Sequence, residues 1–349
     1  MPLERYGKSS SALLRQKTSF FTANKQYVAK QQAIAATYRQ QPVRKTCKNC
    51  GQSIENSPTD FEKEGISYVI CETCNHLNGR YEDTVAFCDA LYTADAGKEY
   101  AKHYSASDIS AYNYRTASIY IPKAEFLHTT LGANNVNPNE LSYLDFGAGS
   151  GYFVSALKKV GVNNVTGSEV SEVQVDFGNK MIGKSLLTTH RLEDTNQVLE
   201  NTTAEVVSMI GVLEHLQNPR QALNAISNND NIKYFYFSVP TFSLAVYLEL
   251  LSPDIFHRQL SCGHTHLYTK SSLQYLAHEF NWTSIGEWWF GTEMVDLFRH
   301  IAVNLELKKC SPKMIDLWKE HFIPIIDALQ LEIDKKYFSS EVHILLKKQ

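Results

Sequence analysis

The chain has 349 residues, 43% of them hydrophobic and 20% charged, which suits one large domain with an attached module, or two ordinary domains, and excludes wholesale disorder. No stretch approaches twenty consecutive apolar residues, no apolar signal core lies near the start, and four of the seven cysteines fall in CxxC pairs. A membrane span, a secretory leader and a disulfide scaffold are therefore not expected, and a reducing, cytoplasmic setting is.

The formal net charge of −3 is unevenly spread: residues 1–48 hold ten Lys or Arg against one Glu, and the remainder 24 basic against 36 acidic groups. Such an end can attract a phosphorylated substrate, a nucleic acid or an acidic partner, or simply be solvated. The charges are spread without a dense tract, which favours the solvated surface.

In chain order, residues 1–16 read as an irregular terminus and Ser19–Gln41 as a helix limited by Pro42, so 1–44 form a helical extension. Residues 45–80 are organised around cysteines. Residues 81–124 form a connector rich in tyrosine, with Tyr104, Tyr112, Tyr114, Arg115 and Tyr120, and Pro122 precedes a helix predicted over Lys123–Leu131. From 125 to 349 strand and helix patterns alternate: LSYLDF, NVTGSE, KSLLTT, EVVSMI and IKYFYFSVP read as strands with helices between them. The pattern predicts a largely parallel α/β sheet, with WTSIGEWWF and EVHILLKK as edge or antiparallel strands.

Cys47, Cys50, Cys71 and Cys74 form CxxC-x20-CxxC. Each pair can place two thiolates on one turn, and two pairs complete a tetrahedral shell for Zn2+. With no position left for water the ion is expected to be structural, holding together a segment too short for much core. His76 is not needed as a ligand, and Cys88, Cys262 and Cys310 have no paired spacing.

Asp145-Phe146-Gly147-Ala148-Gly149-Ser150-Gly151 lies between a strand and a helix. Glycines allow a close turn that exposes backbone N–H groups to an anionic group. Glu169 ends the next strand, eighteen residues beyond Gly151, where a carboxylate can accept hydrogen bonds from ribose hydroxyls. Glycine spacing alone also fits a nicotinamide-binding fold.

DxGxGxG, the GSE at 167–169 and VLEHLQNP at 212–219 together resemble the class I S-adenosylmethionine-dependent methyltransferase family over roughly residues 125–349. The resemblance implies a Rossmann-like seven-stranded sheet, to which the paired cysteines add a small N-terminal zinc-binding module. It implies S-adenosylmethionine as cofactor, with Asp145, Gly147, Gly149 and Gly151 around its methionine portion and Glu169 on the ribose. Leu192, Glu193 and Asp194 would then lie beside the adenine, and Met209, Ile210 and Gly211 at the end of the fourth strand. Tyr104 and Arg115 are further candidates for cofactor contact, Arg115 toward a carboxylate or a substrate phosphate.

Transfer to a neutral hydroxyl needs a base, and histidine titrates in a suitable range. His215 follows the fourth strand, and His264 and His266 lie in CGHTHLYT; all three are candidates. The sequence also resembles bacterial sugar and sugar-nucleotide methyltransferases, some of which carry a four-cysteine module. Their base histidine is matched by His264 and their second catalytic histidine by His215. Gly263 stands where that group has an acidic residue, and its long C-terminal domain has no counterpart, which moves the expectation from C-methylation of a keto sugar toward a hydroxyl.

The expected activity is thus methyl transfer to a sugar, sugar nucleotide or glycan precursor in carbohydrate biosynthesis, the small-molecule acceptor being phosphorylated in some cases. The alternatives are keto-sugar C-methylation, an RNA or protein methyltransferase, and a non-catalytic scaffold. No RNA-binding motif or basic stripe supports a nucleic-acid acceptor. Trp282, Trp288 and Trp289 are open to a sugar platform or to sheet packing.

Overall fold

Two sheets carry the fold in a computed structural model that describes residues 1–16, 23–92, 108–260 and 264–349. The strands are Leu3–Tyr6 (β1), Phe61–Lys63 (β2), Ile66–Ile70 (β3), Leu77–Gly79 (β4), Ser142–Phe146 (β5) and Asn164–Glu169 (β6). They continue with Leu187–Thr189 (β7), Val206–Ile210 (β8), Tyr234–Pro240 (β9), His266–Leu267 (β10), Trp282–Phe290 (β11) and Glu341–Lys348 (β12). The large sheet runs β1-β11-β12-β9-β8-β5-β6-β7, and β12 is antiparallel to both its neighbours, β9 and β11. This is the Rossmann-like methyltransferase sheet expected, extended to eight strands. The extra strand, β1, pairs parallel with β11, so the first residues are an edge of the sheet rather than an irregular terminus.

Side-chain alternation builds three layers. In β9, Phe235, Phe237 and Val239 enter one core while Tyr234 and Tyr236 enter the other. β5 separates Leu144 and Phe146 from Tyr143 in the same way. The first core is closed by Leu199, Leu223 and Leu273 from helices Thr195–Asn201, Pro219–Asn228 and Lys270–Glu279. The second is closed by Leu127 and Val154 from helices Ile121–Ala133 and Tyr152–Lys159. Each such aromatic or aliphatic side chain contributes about 1.5–3 kcal/mol on burial. Trp282, Trp288 and Trp289 are all buried in these layers, which settles them as packing residues rather than a sugar platform.

The predicted helix before the sheet is longer than expected. It starts at Ile109 with Asp108 accepting from Ala111 N, passes through a π-turn at Thr116–Tyr120 and continues to Ala133. Pro122 has no N–H to donate, and the wider turn directly before it accommodates that gap. Between β11 and β12, helices Glu293–Leu307, Pro312–Phe322 and Ile326–Asp334 form their own small core around Phe298, Phe322 and Ile326. No helix among the described residues is long and apolar enough to cross a membrane.

The small sheet, β10-β4-β3-β2, joins the cysteine segment to the large domain, because β10 comes from the stretch after His264. The seam is strongly polar. Arg220 meets both Glu279 oxygens at 2.6 and 2.7 Å and donates to the Asn49 carbonyl at 2.7 Å. Asn49 in turn donates to the Ser272 carbonyl at 2.9 Å.

Candidate active site and cysteine cluster

β5 is flanked by β6 on one side and β8 on the other, so its C-terminal end is the switch point where α/β sheets open a crevice. A cavity of about 870 Å³ lies there. The glycine turn floors it, with Gly147 at φ 71°. A Cβ on Gly147 would come within 2.5 Å of Val212 Cγ2, so both the backbone angle and the packing require glycine.

Asp145 accepts from Ser208 Oγ at 2.7 Å, and burial pushes its carboxyl up to about 7. Glu169 is held by three backbone donors: Gly149 N at 2.8 Å on Oε2, and Val170 N at 2.9 Å and Ser171 N at 3.0 Å on Oε1. Burial raises its pKa and these N–H groups oppose the rise. The carboxylate therefore reaches the cavity already oriented. Tyr112, Tyr152 and Tyr120 stack behind the turn with centroid separations of 4.4 and 5.2 Å, and the Tyr112 hydroxyl donates to the Ser150 carbonyl at 3.1 Å.

At the other end, beyond β8 and β9, stand Glu214, His215 and His264. The two imidazoles are stacked with centroids 5.5 Å apart, and Glu214 Oε1 is 3.8 Å from His215 Nε2. His264 Nδ1 donates to the Gln259 carbonyl at 3.0 Å. Burial lowers its pKa to about 4 and raises that of Glu214 to about 8, so the His264 ring is neutral near pH 7. Lys123, paired with Glu341 at 3.1 Å, and Arg258, donating to Thr292 Oγ1 at 3.0 Å, complete a polar wall.

Most sequence candidates meet in this one cavity: Asp145, Gly147, Gly149, Glu169, Leu192, Glu193, Ile210, Gly211, His215 and His264 all line it. Gly151 closes the turn as the residue before helix Tyr152–Lys159. Four expectations change. Met209 is fully buried in the sheet core, because the strand alternation turns it away from the crevice. Asp194 lies outside the lining, next to the helix start at Thr195. Arg115 sits over the Tyr152 ring at 5.2 Å rather than in the cavity. His266 is buried behind the site, with Nε2 on the Glu214 carbonyl at 3.0 Å and Nδ1 2.7 Å from His76 Nε2. Tyr104, Cys262 and Gly263 lie outside the described residues.

The lining also includes residues that sequence reasoning did not assign to it: Lys123, His190, Glu214, Arg258 and Glu341. His190 bonds Ser168 Oγ at 2.8 Å, packs 5.0 Å from the Phe146 ring and keeps a buried Nε2 without a partner. Its signal was available as the residue directly after the third strand. Lys123, Arg258 and Glu341 are distant in sequence and carried no motif.

The four cysteines converge as their spacing predicts. Their sulfurs lie within 4.8 Å of one another, with Cys47–Cys74 at 3.7 Å and Cys50–Cys71 at 3.6 Å. A tetrahedral centre with S ligands at about 2.3 Å requires sulfurs about 3.8 Å apart, so the donor set fits zinc. Ile54 and Val69 are the main apolar packing around it.

A methyltransferase-domain family model matches residues 117–286. The cavity and this match define the class: the protein is an S-adenosylmethionine-dependent methyltransferase. No curated protein matches the sequence. Among solved structures, magnesium protoporphyrin IX methyltransferase from Synechocystis PCC 6803, with bound SAH, is similar at a TM-score of 0.49 and 11% identity over 76% of this chain and 100% of that one. The plantazolicin methyltransferase BamL, in complex with a triazolic analogue and SAH, has a TM-score of 0.45 and 14% identity over 75% and 94% of the respective chains.

Proposed function

We propose that the enzyme methylates a hydroxyl of a sugar, sugar nucleotide or glycan precursor. The observation that carries this reading is the division of one cavity into two chemically different ends. The Glu169 end offers a glycine turn and an oriented carboxylate, suited to the cofactor's methionine and ribose portions. The His264 end offers Lys123, Glu341, Arg258 and Gln259, hydrogen-bonding groups suited to a polyhydroxylated and sometimes phosphorylated acceptor, with Phe290 as an apolar face. A volume of about 870 Å³ suits a cofactor and an acceptor together.

When bound, the cofactor supplies an electrophilic methyl group on a sulfonium. The chain's own part is to bind, align and ease removal of the acceptor proton, and this falls to the His264 and His215 pair. Zinc on Cys47, Cys50, Cys71 and Cys74 serves the fold: β4, held by that module, pairs with β10 directly after His264.

The N-terminal basic excess gives little support to a nucleic-acid acceptor. Arg44 and Lys48 are buried against Asp83, Arg5 covers the Trp288 ring and Lys8 the Phe290 ring. Incubation with methyl-labelled cofactor and a panel of sugar nucleotides, glycans, RNA and protein, read by product mass and NMR, tests the assignment. Labelled O-methyl sugar supports it; label only in RNA, protein or a C-methyl group overturns it.

A further inference from the structure

We propose that Glu214, His215 and His264 form a binding site for a divalent transition-metal ion, separate from the four-cysteine cluster. One carboxylate oxygen and one nitrogen of each ring all lie within 4.8 Å of one another. Oxygen and nitrogen ligands sit about 2.0–2.2 Å from such an ion, which places them about 3–3.5 Å apart. Small side-chain rotations close that difference, and the Glu214–His215 pair is already at 3.8 Å.

Three further observations point to a cation. His264 Nδ1 donates to the Gln259 carbonyl, so its Nε2 keeps the lone pair; a ligating histidine is oriented in this way by a carbonyl behind it. Glu214 is only 4% exposed, and its Oε2 is buried without a hydrogen-bond partner. A buried carboxylate oxygen left without a donor costs stability, and a cation held by both oxygens, Oε2 as well as the Oε1 that faces His215, would offset that cost. Finally, His266 donates to the Glu214 carbonyl, fixing the backbone from which both Glu214 and His215 project.

The donor set is two imidazoles and one carboxylate, suited to Mn2+, Fe2+, Co2+ or Zn2+, with coordination positions left open toward the cavity. The cysteine cluster is its chemical opposite, a closed set of soft sulfurs. The site's use rests on the reading of this end as the acceptor end. A hydroxyl held there would lose its proton to water more readily. Its oxygen then forms the new C–O bond as the methyl C–S bond breaks, leaving a neutral thioether and one proton in solution.

The test is Mn2+ binding, followed by electron paramagnetic resonance and calorimetry, on the full chain with its cysteine-bound zinc; Mn2+ has little affinity for thiolates. One Mn2+ per chain is expected, weakened by roughly 10–100-fold or more in Glu214→Gln and in His264→Ala, with zinc content unchanged. Thermal melts confirm that each variant is folded, and the two independent variants guard against failure of either. No binding at millimolar Mn2+, or equal affinity in wild type and both folded variants, overturns the proposal. Hydroxyl methylation that persists with chelator and without Mn2+ binding sinks this site but spares the acceptor reading. Mn2+ binding lost in both variants, in an enzyme that methylates no hydroxyl, does the reverse.

Discussion

His76 Nε2 lies 2.7 Å from His266 Nδ1, across the seam between the cysteine module and the methyltransferase sheet. The direction of this bond follows from its neighbours. The Glu214 carbonyl can only accept, so His266 Nε2 carries a proton and His266 Nδ1 accepts from His76. Burial keeps both rings neutral. The module thus grips, through two imidazoles, the backbone of the turn that bears Glu214 and His215.

This bridge predicts a coupled loss. His76→Phe leaves the buried acceptor on His266 unsatisfied and should cost about 1–3 kcal/mol of stability. It should also slow turnover while leaving cofactor affinity nearly unchanged, because Glu169 ends β6, across β5 from β8 and the turn that follows it. Denaturant melts with parallel cofactor titrations check this; a variant with wild-type turnover would show that the bridge does not position the turn.

The cysteine cluster should hold one zinc that survives Glu214→Gln and is lost in a Cys47→Ser/Cys71→Ser double variant. Zinc ligation supplies folding energy to a segment whose own core is small. Metal removal should therefore expose residues 45–80 to proteolysis before the large sheet unfolds. Metal-free protein with unaltered protease resistance would contradict a structural role.

Gly147→Ala should weaken cofactor binding and lower stability for two separable reasons. The added Cβ meets Val212, and φ 71° is unfavourable for alanine. A Gly147→Ala/Val212→Ala double variant should relieve the first and retain about 1–2 kcal/mol of the second. Additive losses in the double variant would show that Val212 is not the obstacle.

Glu293 provides a pH test of the helical region. It is fully buried, accepts from Gln330 Nε2 at 2.6 Å, and burial pushes its pKa up to about 7. Raised above its unfolded value, it contributes stability that is complete below about pH 4.5 and is lost as pH rises through about 7. Glu293→Gln keeps the shape without the titration. The stability of the variant relative to wild type should rise by on the order of 3 kcal/mol between pH 4.5 and pH 8, measured by urea melts. A gap that does not change with pH would mean Glu293 is ionised throughout.

The parts of the site legible in the sequence are those written in contiguous residues. The DxGxGxG turn, Glu169 and the paired cysteines each depend on local spacing, and the fold brings them where that spacing implies. β1 was not legible, since LERY has no alternation strong enough to mark a strand and is held by the exposed edge of β11. Lys123, Arg258 and Glu341 reach the cavity from three separate parts of the chain, which no local pattern records. Met209 was misplaced for the opposite reason: it is next to the right residues, but alternation along β8 sends it to the core. The basic N-terminal excess misled because charge counts cannot distinguish a solvated lysine from one, like Lys48, buried beside Asp83.

The two ends of the cavity should come apart under mutation. Glu169→Ala removes a carboxylate that accepts three backbone N–H groups, so it both loosens the glycine turn and deletes the ribose acceptor. A charged hydrogen bond of this kind contributes about 1.5–3 kcal/mol, so cofactor affinity should fall roughly 10–150-fold by calorimetry. His264→Ala leaves that end intact and should keep cofactor affinity within about twofold while slowing single-turnover methyl transfer by roughly 10²–10⁴-fold. The expected slowing is the same whether the imidazole takes the acceptor proton itself or holds an ion that eases its loss, because either way the interaction is made as the oxygen becomes nucleophilic. His215→Ala should behave like His264→Ala, and the double variant should be little slower than either, since groups acting as one unit are not additive. Single-turnover rates at saturating cofactor and acceptor decide the matter. Near-wild-type transfer by the His264 variant would remove that residue from the chemistry, and unchanged cofactor affinity in a folded Glu169 variant would remove the carboxylate from the cofactor site.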